Sequence, residues 1–220
     1  MVAAAERARA RSGRTTDVTL TAAQGEVDLA GTQVVALLYQ GRLPGKEIRL
    51  GKGDLLNVAF ANDIDQAGSV HWHGIALRND MDGVPGLTQD PVPARGRFDY
   101  SFTVPDPGTY WFHPHSGLQL DNGLYAPLIV EDPAEALADV EAVLVLDDWM
   151  LGFGRTPEGS TRTCRRTAWL AWAAWAACMA RRRRPSRSGQ MEGTSRTPST
   201  WSTAGRRPIQ TWCRPSRGSA

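Results

Sequence analysis

Apolar and polar residues alternate along short stretches of the first two thirds of the chain. In the segment 97–104, every second position carries a large apolar side chain: Phe98, Tyr100, Phe102 and Val104. The segment 54–62 repeats this pattern, with Leu56, Val58 and Phe60 on one face. Successive side chains of an extended strand point to opposite sides, so a period of two indicates a strand with one buried face. Both segments therefore predict β-strands.

Seven further segments have strand character and are separated by turn residues: 17–22, 34–39, 47–50, 69–73, 109–113, 124–131 and 141–147. Residues 134–139 are predicted to form no more than one or two helical turns. Nine short strands without a long helical periodicity predict an all-β fold, an antiparallel sandwich or barrel.

The charge balance changes abruptly near residue 155. Residues 1–154 contain 21 acidic and 11 basic residues, whereas the remainder contains 14 arginines and only two glutamates. The near-neutral total of +2 therefore hides an acidic body and a basic tail. We predict a folded domain at 16–155, a flexible N-terminal extension at 1–15 and a separate tail at 156–220.

The tail is rich in Arg, Ser, Pro and Trp but has few branched aliphatic residues. Such a composition cannot offset the entropy of ordering a chain, so we predict that the tail is largely disordered. Its apolar stretch 168–180 is too short to span a bilayer, and with Arg181–Arg184 it suggests contact with a membrane surface or nucleic acid. The alternative is GC-rich coding DNA read in a shifted frame. We favour the frameshift, and expect neither nucleic acid nor a membrane as a partner.

All four histidines lie in two short motifs, His71-Trp72-His73 and His113-Pro114-His115. In a strand, residues i and i+2 share a face, so each motif presents two imidazoles on one side. Neutral imidazole is a common ligand for copper, zinc, iron and nickel. The alternative is that some of these residues are ordinary core or surface histidines. The duplicated spacing, with no histidine elsewhere, favours a metal site.

Five ordered motifs resemble one protein family: GRLPG at 41–45, HWHG at 71–74, DGVPG at 82–86, GTYWFHPH at 108–115 and GLYAPLIV at 123–130. Together they resemble the first cupredoxin domain of the multicopper oxidases, the laccase-like family. The resemblance covers residues 16–155 and implies a Greek-key β-sandwich. It also implies an enzyme that oxidises phenolic or metal-ion donors and reduces dioxygen to water with copper as the cofactor.

The resemblance further implies a role for each histidine. His71 would bind the type 2 copper, His73 and His113 would share one type 3 copper, and His115 would bind the other. Asp82 resembles the acid that delivers protons to the copper cluster and is the candidate catalytic residue. The alternative for Asp82 is a turn carboxylate that binds its own backbone. Trp72 and Trp111 are expected to pack in the core beneath the site.

Other parts of the family pattern are missing from the sequence. No histidine follows His115, so Cys164, Cys178 and Cys213 lack the context of a type 1 copper site. The four histidines would form half of a trinuclear site, and we expect this chain to have little or no oxidase activity alone. The alternatives are a non-catalytic copper-binding module and a half-site completed in trans by another chain. Dioxygen, an electron donor and the missing C-terminal cupredoxin domains are the implied partners.

The start of the chain is also unlike that of the family. Bacterial family members are usually exported, often through a twin-arginine signal. Residues 1–16 contain neither the apolar core of a secretory signal nor a cleavage site. The localisation is therefore left open by the sequence.

Overall fold

The computed structural model describes residues 2–135, 140–152, 154–161 and 210–215. The helices and strands are, in chain order, α1 (Val2–Arg7), β1 (Thr15–Leu29), β2 (Thr32–Tyr39), β3 (Ile48–Gly51), β4 (Leu55–Asn62), β5 (His71–His73), a 3-10 helix (Asn79–Met81), β6 (Arg97–Thr103), β7 (Gly108–His113), β8 (Ala126–Glu131), β9 (Ala142–Asp147) and β10 (Gln210–Pro215). Each of the nine predicted strands is present, as β1 to β9. The helical turn predicted at 134–139 falls largely outside the described residues.

Two four-stranded sheets form a β-sandwich, as predicted. The strand order is β2-β1-β4-β6 in one sheet and β3-β8-β7-β5 in the other. The chain crosses between the sheets at each step from β2 through β7, so that β3, β5 and β7 lie in the second sheet and β4 and β6 in the first. The all-β Greek-key prediction is therefore confirmed, and β5 and β7, which carry the histidine motifs, are neighbours in the second sheet.

The sandwich is not antiparallel throughout, because each sheet contains one parallel pair of strands. Strand β1 pairs in parallel with β4, and β3 pairs in parallel with β8. Strand β1 was predicted to end at Ala22, but it continues to Leu29. Its first half pairs in parallel with β4, and its second half pairs antiparallel with β2. Residues 23–26 are small or polar, so their apolar pattern gave no sign of this extension.

The main core lies between the sheets and is built from the predicted alternation. The first sheet contributes Leu56, Val58, Phe60, Tyr100 and Phe102, and the second contributes Trp72, Phe112, Leu128 and Val130. A smaller core contains Leu29, Val34, Leu38, Tyr125 and Trp149. Burial of these apolar surfaces drives folding at roughly 25 cal/mol per Å². The main core anchors β5 and β7, because Trp72 and Phe112 on their inner faces are fully buried in it.

The N-terminal segment, which the sequence suggested would be a flexible extension, packs against the sandwich. Glu6 of helix α1 is only 5% exposed. Its Oε1 accepts a hydrogen bond from the backbone N–H of Thr103 at 2.7 Å. The N–H of Ser12 donates to the carbonyl of Gly53. These contacts satisfy a buried backbone donor at the edge of β6, which the apolar pattern of the sequence could not reveal.

Most of the tail that was predicted to be disordered lies outside the described residues. Residues 157–161 form a helical turn, and residues 210–215 form β10, which pairs antiparallel with β9. Strands β9 and β10 form a two-stranded sheet of their own. No helix within the described ranges is long and apolar enough to cross a membrane.

Candidate metal centre

The antiparallel pairing of β5 with β7 brings the two histidine motifs together. His71 lies directly opposite His113, and His73 lies opposite Trp111. Because alternate residues of a strand share a face, His71, His73 and His113 point away from the core while Trp72 and Phe112 point into it. His115 follows two residues after His113, beyond the end of β7. The two motifs therefore form one cluster, as the sequence indicated.

The four rings are close together. The centroid of His71 lies 4.4 Å from that of His115 and 5.5 Å from those of His73 and His113. The centroids of His73 and His115 lie 5.3 and 5.2 Å from that of His113. The ligand nitrogens of His71, His113 and His115 lie within 4.8 Å of one another. This arrangement can hold metal ions without a large movement of the backbone.

His73 joins the cluster through a direct approach to His113. Its Nδ1 lies 3.1 Å from Nε2 of His113. An imidazole nitrogen binds a late first-row metal ion at about 2.0 Å, so two nitrogens on one ion are about 3 Å apart. The separation therefore fits a shared ion.

Backbone carbonyls orient two of the rings. Nδ1 of His71 lies 2.7 Å from the carbonyl oxygen of Asp82, and Nδ1 of His113 lies 3.1 Å from that of Pro114. A carbonyl can only accept, so each Nδ1 carries the proton and donates it. The Nε2 atoms of both rings are then free to bind a metal, which is the usual arrangement at metal sites.

The loop that supplies the Asp82 carbonyl is held tightly against β5. Gly83 follows Asp82 with a φ of +75°, and a Cβ at this position would overlap the carbonyl oxygen of Val70. Only glycine tolerates both the left-handed backbone and this approach. The carboxylate of Asp82 also lies near His71, with Oδ1 3.4 Å from Nδ1. The Asp-Gly pair is therefore explained by its contact with the first histidine motif.

Burial keeps two of the histidines neutral. Burial is the largest cause that lowers the pKa of His113 to about 4; the neighbouring His71, His115 and His73 act in the same direction, and the hydrogen bond to Pro114 opposes them. Burial likewise lowers the pKa of His115, with His71 as the next cause. A metal ion binds only the neutral ring, so little proton competition is expected at neutral pH. Four imidazoles without a thiolate form a donor set that suits copper or zinc.

Trp72 and Trp111 differ in position, and the expectation that both pack in the core was wrong for Trp111. Trp72 is fully buried, whereas Trp111 is 36% exposed. The indole centroid of Trp111 lies 4.1 Å from that of His113 and 5.1 Å from that of His73. Trp111 occupies the same face of β7 as His113, because the two residues are separated by two positions. That spacing could have revealed its place beside the metal ligands.

Ser69 is a further residue that the sequence did not single out. Its side chain is buried, and its Oγ accepts a hydrogen bond from the backbone N–H of His115 at 3.3 Å. This contact fixes the segment that follows Pro114, where β7 has ended. No sequence signal distinguishes this serine from others in turns.

Comparisons with known proteins give a consistent family assignment. A family model described as multicopper oxidase matches residues 21–135. The chain is 51% identical over 156 residues to multicopper oxidase MmcO of Mycobacterium tuberculosis, covering 70% of this chain and 31% of that protein. It is 40% identical over 136 residues to copper resistance protein A of Pseudomonas syringae pv. tomato, covering 61% of this chain and 22% of that protein.

The fold is similar to solved structures as well. A multi-copper oxidase from Pseudomonas thermotolerans superimposes with a TM-score of 0.60 and 41% sequence identity, covering 63% of this chain and 34% of that one. The chain thus spans between 22% and 34% of the length of these three proteins.

Proposed function

Because this chain belongs to the multicopper oxidase family, we propose that it is the N-terminal copper-binding domain of a laccase-like oxidase. The observation that carries the proposal is the single cluster of four imidazoles on the adjacent strands β5 and β7. Bound copper supplies one-electron transfer from a phenolic or metal-ion donor to dioxygen, which is reduced to water. The four histidines of this chain would bind the ions, and Asp82 would deliver protons near them.

The four histidines divide among three ions in this proposal. His71 binds the type 2 copper, His73 and His113 share one type 3 copper, and His115 binds the other. Support for the shared ion comes from the 3.1 Å separation between Nδ1 of His73 and Nε2 of His113. Support for His71 binding through Nε2 comes from the carbonyl of Asp82, which occupies its Nδ1.

Asp82 is the residue proposed to deliver protons. Its carboxylate is 31% exposed and lies beside His71, so it contacts both solvent and the edge of the cluster. In the alternative role Asp82 only shapes its turn. Asp82→Asn in a form with a complete copper site is expected to slow oxygen uptake without changing the copper content. Unchanged oxygen uptake would assign Asp82 to the turn alone.

The four histidines make up half of a trinuclear site in this proposal, so the 220-residue chain is expected to have little or no oxidase activity. The test loads the purified chain with copper and measures oxygen uptake with a phenolic donor, beside an intact laccase as the positive control. Sustained turnover by the chain alone would contradict the proposal.

Exposure of His73 and His115 favours two other possibilities that share the same ligands. In one, the chain is a copper-binding module without catalysis, and in the other a second chain completes the site in trans. Copper content and absorption distinguish the first from an intact enzyme, which has about four coppers and the blue colour of a copper–thiolate bond. Association on addition of copper, measured by analytical ultracentrifugation, identifies the second.

A further inference from the structure

We propose that Trp111 is a positioning residue, whose indole holds His73 in the orientation in which His73 and His113 share one copper ion. The inference rests on the proposed function, because it presumes that copper binds at this pair. It concerns the apo protein as well, since the ring contacts exist before any ion is bound.

The geometry of the three rings carries the inference. Trp111 lies directly across from His73 in the register of β5 with β7. Its ring plane is tilted by only 35° from that of His73 and by 34° from that of His113. The planes of the two histidines are tilted by 38° from each other. The indole therefore lies against both imidazoles of the proposed shared site.

The ring of His73 is less constrained by hydrogen bonds than the rings of His71 and His113. Those two rings each have Nδ1 fixed by a backbone carbonyl. Among the described residues, the only hydrogen-bonding contact of the His73 ring is the one between its Nδ1 and His113. Rotation about the bond that joins an imidazole to its Cβ is broad and has no sharp minima. Packing against Trp111 therefore limits the rotation of an exposed ring that lacks a carbonyl anchor.

Bound metal strengthens the same contact. An imidazole that is coordinated to a copper ion gains positive character, and the face of an indole attracts nearby positive charge. Trp111 is 36% exposed and contributes less to the core than Trp72, which is fully buried. Its replacement is therefore expected to affect copper binding more than folding.

The experiment compares Trp111→Phe with Trp111→Leu in the full 220-residue chain. Phenylalanine retains a flat ring, whereas leucine retains apolar bulk without one. Copper affinity is measured by competition with a chromophoric chelator, and apo stability by urea unfolding. We expect Trp111→Leu to weaken binding of one copper about tenfold, as for other groups that orient metal ligands. Trp111→Phe is expected to retain most of the affinity, and both variants to unfold at similar urea concentrations.

A second comparison separates positioning from a general structural role. In a His73→Ala background the ring to be positioned is absent, so Trp111→Leu is expected to have no further effect on copper affinity. Trp149→Phe, at a buried tryptophan in the smaller core, controls for the loss of an indole elsewhere. Equal affinities of the parent and Trp111→Leu would overturn the inference, as would an equal loss with and without His73. If the parent chain binds no copper through its histidines, the proposed function fails instead.

Discussion

His73 and His113 approach each other through Nδ1 and Nε2 at 3.1 Å, so their replacement should not be additive. If they share one ion, His73→Ala and His113→Ala each remove that ion, and the double variant removes no more. His73→Ala combined with His115→Ala should remove more copper, because these residues bind different ions. Metal analysis after desalting gives the copper content of each variant.

The buried His113 ring requires a control, because its loss also leaves a cavity. Urea unfolding of each apo variant shows whether the fold survives. A loss of copper in the His73 and His113 double variant that equals the sum of the single losses would contradict the shared ion.

Gly83 offers a test of how closely the Asp82 loop must approach β5. Gly83→Ala places a Cβ against the carbonyl oxygen of Val70 at a positive φ, so the backbone strain and the overlap together should cost about 2–4 kcal/mol of unfolding free energy and weaken copper binding. Gly86 has a nearly equal φ of +76° but open space around it. Gly86→Ala should cost only about 1 kcal/mol and leave copper binding unchanged. Urea unfolding and copper titration measure both, and equal effects of the two substitutions would refute the close approach.

At the scale of elements, the sequence predicted the strands and the histidine cluster for the same reason. A period of two determines which residues share a face, and it holds for Leu56, Val58 and Phe60 in the core as well as for His71 and His73 at the site. Pairing partners and strand directions depend on contacts between distant residues, which one sequence does not contain. The parallel pairing of β1 with β4 was missed for this reason.

The turn between β3 and β4 supports a prediction about pH. Burial raises the pKa of the Asp54 carboxyl, but hydrogen bonds from Ser12, the N–H of Gly51 and Arg14 together bring it below its usual value. A lowered pKa in the folded state means that the carboxylate stabilises the fold above its unfolded pKa of about 3.9. This contribution is lost as the pH falls through the folded pKa.

Asp54→Asn is therefore expected to lower the unfolding free energy at neutral pH by about 1–3 kcal/mol and to make its decline in acid shallower. Urea unfolding across the acid range measures both effects. Asp65→Asn is the control, because Asp65 is 86% exposed and pairs with Arg95 at the surface, where such pairs contribute less than about 1 kcal/mol. Parent and Asp54→Asn curves of identical shape in acid would rule out this role.

At the level of the whole molecule, we propose that residues 2–14 pack on the folded domain at 16–155 and stabilise it. Glu6→Ala leaves the buried N–H of Thr103 without its acceptor and should cost about 1–3 kcal/mol of unfolding free energy. Arg11→Ala, at an exposed position of the same segment, should cost less than about 0.5 kcal/mol. Thermal and urea unfolding compare the two, and equal stabilities would mean that the segment is detached in solution.

Composition predicts that the body of the protein ends at residue 155, and this boundary stays a prediction. The acidic body matches the family over residues 21–135, and the core residue Trp149 lies close to the predicted boundary at residue 155. The Arg-rich tail lies mostly outside the described residues, so the frameshift remains a prediction that the coding DNA tests. Trp111 was misassigned to the core although its spacing of two residues from His113 places both side chains on the same face of β7.

Copper-edge anomalous diffraction from crystals of the copper-loaded chain locates the bound ions and so tests whether the four histidines hold them. We expect anomalous peaks bounded by His71, His73, His113 and His115, with one peak between Nδ1 of His73 and Nε2 of His113. Ordered copper bound elsewhere on the chain, with these four rings free of metal, would contradict it.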